Sequence, residues 1–290
     1  MLKTIVLLLL FASIQCVQQS IGENDLSLHL YTPDGQVAQL AYAARTIESS
    51  PSRISFRDEN TGIIACFATS SVESELCSGL KPAIEVAREI SVAYIPSGYA
   101  PDISYLLRKM NGIVQNHCLT YGESPNLDYL AYHISHWITR GMYKEESEDR
   151  LARPLAAAVT MAAYDKVRKQ NRLVQIDNTG YVCEKSMSLV GAISITDRDS
   201  LISALNSQLT QQTSKEAIQT WLTKCKTCVQ VLLKDDWLED NDVADKAQVL
   251  DCCVIDTKGK IYRTPAPLRS VKDTIAWIET TVKNEKFHKR

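Results

Sequence analysis

Apolar side chains recur at helical spacing directly after a turn near the start of the chain. Residues 31–35, YTPDG, have the chemistry of a turn, because proline fixes φ and glycine tolerates a left-handed conformation. Val37, Leu40 and Ala44 then follow three and four residues apart, and no Gly or Pro interrupts residues 36–47. The pattern predicts a helix over residues 36–47, and its periodicity alone indicates an ordinary amphipathic surface helix.

The rest of the chain is predicted to alternate between groups of strands and pairs of helices. The apolar run at 62–68 is typical of a strand buried on both faces. Strands are predicted at residues 53–57, 62–68, 84–86, 91–95, 155–164, 173–177, 181–183, 248–256 and 260–263. Helices are predicted at residues 102–118, 127–139, 199–209, 215–235 and 270–283. This order favours two antiparallel sheets covered by helices, in the α+β class, over a parallel doubly wound sheet.

The first 22 residues have a different character. Lys3 precedes an apolar run at residues 4–12, and small and polar residues follow, which is the pattern of a secretory signal peptide. The run is too short for a comfortable membrane span. We therefore predict a leader over residues 1–22, with an uncleaved extension or a mis-assigned start codon as alternatives. Residues 23–290 are predicted to form a single domain ending in a basic tail at 283–290.

Charge and cysteine spacing exclude some functions. The formal net charge of −2 gives no electrostatic case for nucleic-acid binding. Cys225 and Cys228 share one helix face and could form a redox pair or half a metal site, but no second CxxC completes zinc spacing. Packing in the core is therefore the favoured interpretation. His133 and His136 also share a helix face without an acidic partner at the right spacing, so no metal or cofactor is predicted.

Besides its helical periodicity, the segment formed by the turn and the first helix resembles the N-terminal signature of the α-type subunits of the 20S proteasome. In that family an aromatic residue, Ser or Thr, Pro and Gly lead into a helix that carries Gln-x-Glu-Tyr-Ala. Ala41 stands at the Glu position here. The matching residues, which the resemblance implies to be an interface with a neighbouring subunit, are Tyr31, Pro33, Gly35, Gln39 and Tyr42.

Further motifs follow in the order of the same family. They are Gly62-Ile-Ile-Ala65, Ser97-Gly98 ahead of Asp102, Tyr121-Gly-Glu123, Arg153-Pro154, Gln175-x-Asp177-x-x-Gly180 and the closing hairpin at 254–263. The resemblance spans residues 25–263 and is nearest the α2 type. It implies the four-layer αββα sandwich of the N-terminal-nucleophile hydrolases, which agrees with the order of elements predicted above.

The same resemblance implies that the chain has no catalytic residue. Active relatives of the β type use an N-terminal Thr, freed by cleavage after a Gly, whose own amine helps to activate it. Ser52 occupies that position here but follows Pro51, and Ala68 stands where the active relatives have an Asp. Lys81 could take the place of their Lys, but without the other groups we interpret Ser52 as a loop serine.

The resemblance implies a structural role as an α-type subunit in a seven-membered ring, with other α- and β-type subunits as partners. In the family, pockets between neighbours accept the C-terminal tails of regulatory caps, and a Lys offers a charge to the tail carboxylate. The corresponding positions here are Pro33, Ala41 and Thr69, of which Thr69 replaces that Lys. We therefore expect weak cap binding through this subunit.

Two other functions stay open on the sequence alone. One is a secreted N-terminal-nucleophile amidohydrolase, and the other is a stand-alone binding protein on the same fold. A mature N-terminus at a Ser, Thr or Cys would favour the first, and a monomeric mass would favour the second. The family resemblance implies the cytoplasm and nucleus, whereas the leader over residues 1–22 suggests a secretory route.

Overall fold

The computed structural model describes residues 31–32, 34–71, 83–87, 90–143, 151–206, 214–233, 248–265, 268 and 270–284. The leader predicted at 1–22 and most of the predicted tail lie outside these ranges. The helices are α1 (Ala38–Glu48), α2 (Ala100–Tyr121), α3 (Leu127–Tyr143), α4 (Ile195–Leu205), α5 (Ser214–Leu232) and α6 (Val271–Asn284). The strands are β1 (Arg53–Arg57), β2 (Ile64–Ser71), β3 (Glu85–Ala87), β4 (Val92–Gly98), β5 (Ala157–Asp165), β6 (Gln170–Ile176), β7 (Val182–Glu184), β8 (Met187–Val190), β9 (Gln248–Ile255) and β10 (Ile261–Arg263).

The strands of the described part of the chain form two five-stranded antiparallel sheets. The first sheet has the order β10-β9-β2-β1-β8, and the second has the order β3-β4-β5-β6-β7. In the first sheet the longest register joins β2 to β9, from Ile64 opposite Ile255 to Ser71 opposite Gln248. In the second sheet β5 is the central strand and pairs with β4 and β6.

Strand β2 is buried on both faces, as its continuous apolar sequence predicts. Successive side chains of a strand point to opposite faces, so Ile64, Cys66 and Ala68 pack between the two sheets. Ala65 and Phe67 pack on the other face, in the core beneath the helices that cover the first sheet. The alternation shows that one strand contributes to two separate cores.

Helices cover the outer face of each sheet. The core outside the second sheet contains Leu106 and Met110 of α2 and Ile134 of α3. The core outside the first sheet contains Leu201 of α4 and Trp221 of α5. The layers are therefore helix, sheet, sheet and helix, which confirms the predicted αββα sandwich of the α+β class. Among the described residues, no helix is long and apolar enough to cross a membrane.

Several helix boundaries differ from the sequence-based predictions for local reasons. Helix α1 begins at Ala38 because Val37 is still extended, with φ −88° and ψ 109°. Helix α3 continues to Tyr143, beyond the predicted end at 139, since Met142 is buried in the core. Helix α4 begins at Ile195 instead of residue 199, because the Ser194 hydroxyl accepts a hydrogen bond from the Asp197 amide and caps it.

The cysteines of α5 lie in the core, which agrees with the packing interpretation. Cys225, Cys228 and Cys252 are buried beside Trp221 outside the first sheet. Burial raises the pKa of the Cys225 and Cys228 thiols well above the ordinary value, so both stay protonated and unreactive. Within the described ranges, no group of three or more His, Cys, Asp or Glu residues is arranged to hold a metal ion.

A network of charges centred on Arg172 joins helix α3 to the second sheet. Arg172 of β6 is buried, and its guanidinium donates to Glu184 of β7 (2.8 and 3.1 Å) and to Asp165 at the end of β5 (3.1 Å). It also binds Asp128 in the first turn of α3 at 2.8 Å. The hydrogen bond from Arg172 lowers the pKa of Glu184. Burial alone would raise the pKa of Asp165, but backbone hydrogen bonds from Arg168 and Val167 and the Arg172 side chain lower it.

Replacing Arg172 with methionine should lower the free energy of unfolding by about 2 kcal/mol near neutral pH. Breaking a fully buried pair costs about 3–5 kcal/mol, but the Glu184 and Asp128 side chains are 42% and 58% exposed, so water replaces part of the lost interaction. The folded-state pKa of Glu184 lies below its unfolded value. Its contribution is therefore present above the unfolded pKa and is lost as the pH falls through the folded pKa.

Denaturant unfolding of both proteins at about pH 7 and at about pH 3 measures this effect, and the difference in their free energies of unfolding should narrow at the lower pH. Arg168→Met is the matched control. The Arg168 side chain is 49% exposed and reaches the same Glu184 at 3.5 Å, so its loss should cost less than about 0.5 kcal/mol. An equal cost for both substitutions, or a difference independent of pH, would contradict the assignment.

Candidate functional site

The turn before α1 is held by Thr32 and Gly35. The Gly35 amide donates to the Thr32 carbonyl at 2.8 Å, the Thr32 amide donates to the Gln36 carbonyl at 2.7 Å, and the Gln36 amide donates to the Thr32 hydroxyl at 3.2 Å. Gly35 has φ +76°, the left-handed conformation that a glycine adopts without strain. Pro33 lies outside the described residues. The structure thus accounts for the Thr and Gly of the signature as a closed turn.

Helix α1 buries one face and exposes part of the signature on the other. Ala38, Ala43 and Ile47 are buried where the helix packs against β4 and β5. The Leu40 carbonyl accepts a hydrogen bond from the Asn178 side chain at 3.2 Å. By contrast, Tyr42 is 47% exposed and Tyr31, ahead of the turn, is 70% exposed. Of the other positions singled out from the sequence, Gln39 and Ala41 are half-buried.

Ser52, at the position of a nucleophile, is held in a continuous segment between α1 and β1. Its hydroxyl donates to the Ala192 carbonyl at 3.2 Å. Its carbonyl accepts from both the amide (3.0 Å) and the hydroxyl (3.2 Å) of Thr69. The preceding segment is also fixed, because the Ser50 carbonyl accepts from the Ala192 amide at 2.9 Å. The nitrogen of Ser52 is therefore a peptide nitrogen, whereas an N-terminal nucleophile uses a free amine as its base.

Arg53, the residue after Ser52, fills the end of the sandwich next to α1, which we call the α1 end. Its guanidinium donates to the carbonyls of Pro96 (3.1 Å), Ser52 (3.1 Å), Pro51 (3.3 Å) and Thr69. Burial lowers the pKa of Arg53 to about 10, and the negative charge of Asp251 opposes this shift. One side chain therefore joins the α1–β1 segment, β2 and β4.

Among the described residues, Ala68 stands where the resemblance predicts the Asp of a hydrolase, and the carboxylate opposite it is engaged within the fold. Ala68 packs between the sheets, and Asp251 of β9 lies directly opposite it. The Asp251 carboxylate accepts hydrogen bonds from the Thr264 hydroxyl (2.9 Å), the Ile84 amide (3.1 Å) and the Arg263 guanidinium. Lys81 lies outside the described residues. In the described part of the α1 end, the ionised side chains thus stabilise the backbone and one another.

Thr69, which the sequence resemblance aligns with a tail-binding Lys, is buried in the single chain at 4% exposure. Its hydroxyl is occupied by the Ser52 carbonyl, and its own carbonyl accepts from Arg53. No charge is offered at this position. Of the two other positions predicted for the same pocket, Ala41 is half-buried on α1 and Pro33 is outside the described residues.

The α1 end also contains a clamp that brings together two of the quoted motifs. The Arg153 guanidinium donates to both carboxylate oxygens of Asp102, at 2.7 and 2.9 Å, and that carboxylate accepts from the Ala156 amide at 2.8 Å. Gly98 has φ +122°, and a Cβ there would lie 2.1 Å from the Ala156 carbonyl oxygen. The sequence marks these residues one by one, but only the fold shows that they act together.

The two histidines of α3 lie in a row of aromatic rings. The ring centroids of His133 and Tyr129 are 4.1 Å apart, and those of His136 and Tyr132 are 6.0 Å apart. The contacts agree with the interpretation of these histidines as surface or satisfied side chains. They place both rings against tyrosines instead of against acidic ligands.

The family model and the individual relatives that match this chain all point to the same protein family. The chain matches the family model described as "Proteasome subunit" over residues 62–241. It is 22% identical to "Proteasome subunit alpha type-4" of Saccharomyces cerevisiae over 177 aligned residues. This alignment covers 61% of this chain and 67% of the yeast protein. The chain is 26% identical over 164 residues to "Proteasome subunit alpha type-2" of Caenorhabditis elegans (56% and 67% covered), and 21% identical over 202 residues to "Proteasome subunit alpha type-7-B" of Arabidopsis thaliana (70% and 78% covered).

Arg53→Met should lower the free energy of unfolding by about 2–3 kcal/mol. The substitution removes the donors of four backbone carbonyls, and a buried polar group left without a partner costs about 1–3 kcal/mol. Ser52→Ala removes a single hydroxyl bond and should cost less than about 1 kcal/mol. Denaturant unfolding of both variants measures the two costs. A cost for Arg53→Met no larger than that for Ser52→Ala would show that Arg53 is not the residue holding this end.

Proposed function

The chain belongs to the proteasome subunit family, and we propose that it acts as a non-catalytic α-type subunit of the 20S core, in ubiquitin-dependent protein catabolism. The observation that carries the proposal is the family match over residues 62–241, together with the three relatives above, each named as an alpha-type subunit. The αββα sandwich, with α1 packed against the second sheet ahead of β1, supports it. Its partners are other proteasome subunits, and its role in the ring is structural.

The exposed part of the turn and α1 is proposed as the contact with a neighbouring α-type subunit. Tyr31 and Tyr42 present large rings to the surface while Ala38, Ala43 and Ile47 hold the helix on its own domain. Tyrosine combines a large apolar area with a polar tip, and such residues dominate the energetics of many interfaces. Pro33, Gly35 and Gln39 are proposed as part of the same contact, because they belong to the same sequence signature as Tyr31 and Tyr42.

Tyr42→Ala should reduce assembly far more than it reduces the stability of the chain. An exposed tyrosine contributes little to folding, with an expected cost below about 1 kcal/mol, whereas a buried interface aromatic contributes about 2 kcal/mol or more to binding. Native gels and mass spectrometry of a tagged chain co-expressed with other α-type subunits measure assembly, and thermal unfolding measures stability. Tyr132→Ala, an exposed tyrosine on α3, is the control. Equal incorporation of wild type and the Tyr42 variant would overturn the proposed contact, and a chain that stays monomeric would favour the stand-alone alternative.

We also propose that the chain has no peptidase activity of its own. A hydrolase of the N-terminal-nucleophile type would need Ser52 to be freed by cleavage, which would detach α1 with its buried face. Arg53 and the Ser50–Ala192 hydrogen bond hold the same segment in place. This arrangement disfavours the secreted amidohydrolase.

The purified chain should therefore be silent towards fluorogenic peptides, and its Ser52→Ala variant should give the same background rate. N-terminal sequencing of the purified protein provides the second readout. Activity that disappears in the Ser52→Ala variant, together with a mature N-terminus at Ser52, would refute the proposal.

Regulatory caps are proposed to bind weakly through this subunit. Thr69 offers no charge to a tail carboxylate, and a lost charge-assisted hydrogen bond costs about 1.5–3 kcal/mol, or roughly ten- to a hundredfold in affinity. The degenerate pocket positions Pro33 and Ala41 belong to the same proposal.

Thr69→Lys should accordingly strengthen binding of a cap tail peptide to assembled particles by about tenfold or more. Thr69→Met is the matched control, because it lengthens the side chain without adding a charge. Fluorescence titration of the labelled tail peptide measures the affinities. Tight binding by wild type, or an equal gain from Met and Lys, would show that the charge at position 69 is not the limiting factor.

Residues 23–290 are proposed to form one domain that works in the cytoplasm and nucleus. The leader predicted over residues 1–22 lies outside the described residues, and the secretory route stays a sequence-based prediction. Mass spectrometry of the mature N-terminus of the purified protein tests both points. Cleavage after residue 22 and recovery of the chain from the culture medium would contradict the proposed location.

A further inference from the structure

Three hairpin turns meet at the end of the sandwich opposite α1, and they come from both sheets. They are the turns at residues 58–61, 166–169 and 257–260. The buried Asn171 side chain amide joins them, because it donates to the carbonyls of Gly62 (2.7 Å) and Asp256 (2.8 Å). Gly259 packs against Tyr164, since a Cβ on this glycine would lie 2.4 Å from the Tyr164 Cβ. The turns therefore present one continuous surface, which we call the hairpin end.

The hairpin end carries a concentration of exposed positive charge. Residue 185 belongs to the same surface because its amide donates to the Leu173 carbonyl at 2.9 Å and the adjacent Glu184 reaches Arg168 at 3.5 Å. The exposed basic residues are Lys166, Arg168, Lys169, Lys185, Lys258 and Lys260. Among the described residues, Lys166, Lys185 and Lys258 form no ion pair with a carboxylate.

Most carboxylates at this end are already engaged inside the fold. Asp165 accepts from the amides of Val167 and Arg168, and Asp256 accepts from the amides of Lys258 and Lys260, each to close its own turn. Glu184 and Asp128 bind the buried Arg172, and Asp58 binds the buried Lys224 at 2.9 Å. Glu59 is an exposed carboxylate on the turns themselves. The outward-facing charge of the hairpin end is therefore positive, on a chain whose formal net charge is −2.

The surroundings of these cations favour a peptide over a nucleic acid. Val167 stands at the tip of its turn with 83% of its surface exposed, which gives the patch an apolar contact among the lysines. Single-stranded nucleic acid is bound by stacking on exposed aromatic rings, but the two tyrosines of this end, Tyr164 and Tyr262, are only half-exposed. We propose that the hairpin end binds an acidic peptide segment of a partner protein, with carboxylates on the lysines and an apolar side chain against Val167.

A fluorescein-labelled peptide of four Glu-Glu-Leu repeats, titrated into the full-length purified chain, tests the proposal. Binding should be measurable at low ionic strength and should weaken as salt is raised, because exposed charges are screened. The variant Lys166→Glu, Lys185→Glu and Lys258→Glu should bind at least about tenfold more weakly. It spares Lys169, whose φ of +54° makes the backbone there sensitive to substitution. Thermal unfolding confirms that the variant is folded.

The matched control reverses three exposed cations elsewhere, Arg108→Glu, Arg140→Glu and Arg198→Glu, on α2, α3 and α4. It changes the net charge by the same amount and should alter the affinity by less than about twofold, since charges farther away than the screening length contribute little. An equal loss in both variants, no binding by wild type, or tighter binding of a dT12 oligonucleotide than of the peptide would overturn the proposal. The titration uses the single chain, so a failure to assemble with other subunits leaves its outcome unchanged.

Discussion

The architecture depends on the layer of apolar side chains that packs between the two sheets. Cys66 and Ala68 of β2 meet Ala93, Ala162 and Cys253 there, and all are fully buried. Ile64, Ile95 and Leu173 pack in the same layer, so small and large apolar side chains together fill the space between sheets that lie about 10 Å apart. Because β2 and β9 are central strands, each must also carry the core beneath the helices on its other face. The two sheets and the outer helices are therefore fixed by the same strands.

A sandwich of this kind leaves backbone carbonyls at both ends, where no further strand is available to pair with them. Buried carbonyls require donors. At the α1 end the donor is the Arg53 guanidinium, and at the hairpin end it is the Asn171 amide. Both side chains reach across from one sheet to the other. The same device thus closes both ends, and the α1 end is the one that contains Ser52, which the sequence resemblance aligns with a nucleophile.

The sequence predicts the order of elements well, because burial on one or two faces leaves a local pattern. The doubly buried strand at 62–68 and the helix capped by Ser270, whose hydroxyl accepts from the Asp273 amide, are examples. The sequence motifs identify those site residues that are turn glycines or prolines, or that stand at the spacing of the family signature. The roles of Arg53 and Asn171 cannot be predicted from a local sequence pattern. Arg53 binds the carbonyl of Pro96 and Asn171 binds that of Asp256, and both partners are distant in sequence. A local sequence pattern also cannot predict that Asp102 and Arg153 form one clamp, because they are far apart in sequence.

Ser52 and Thr69, the two positions that the sequence resemblance aligns with a nucleophile and with a tail-binding Lys, belong to one hydrogen-bonded unit. The Ser52 carbonyl accepts from both the amide and the hydroxyl of Thr69, and Arg53 donates to the carbonyls of both residues. A long charged side chain at position 69 could not keep the hydroxyl bond that Thr69 makes, so the segment after α1 would be held less firmly. In this chain position 69 contributes to fixing that segment, and α1, which carries the proposed contact with a neighbour, is thereby anchored to the first sheet as well as to the second.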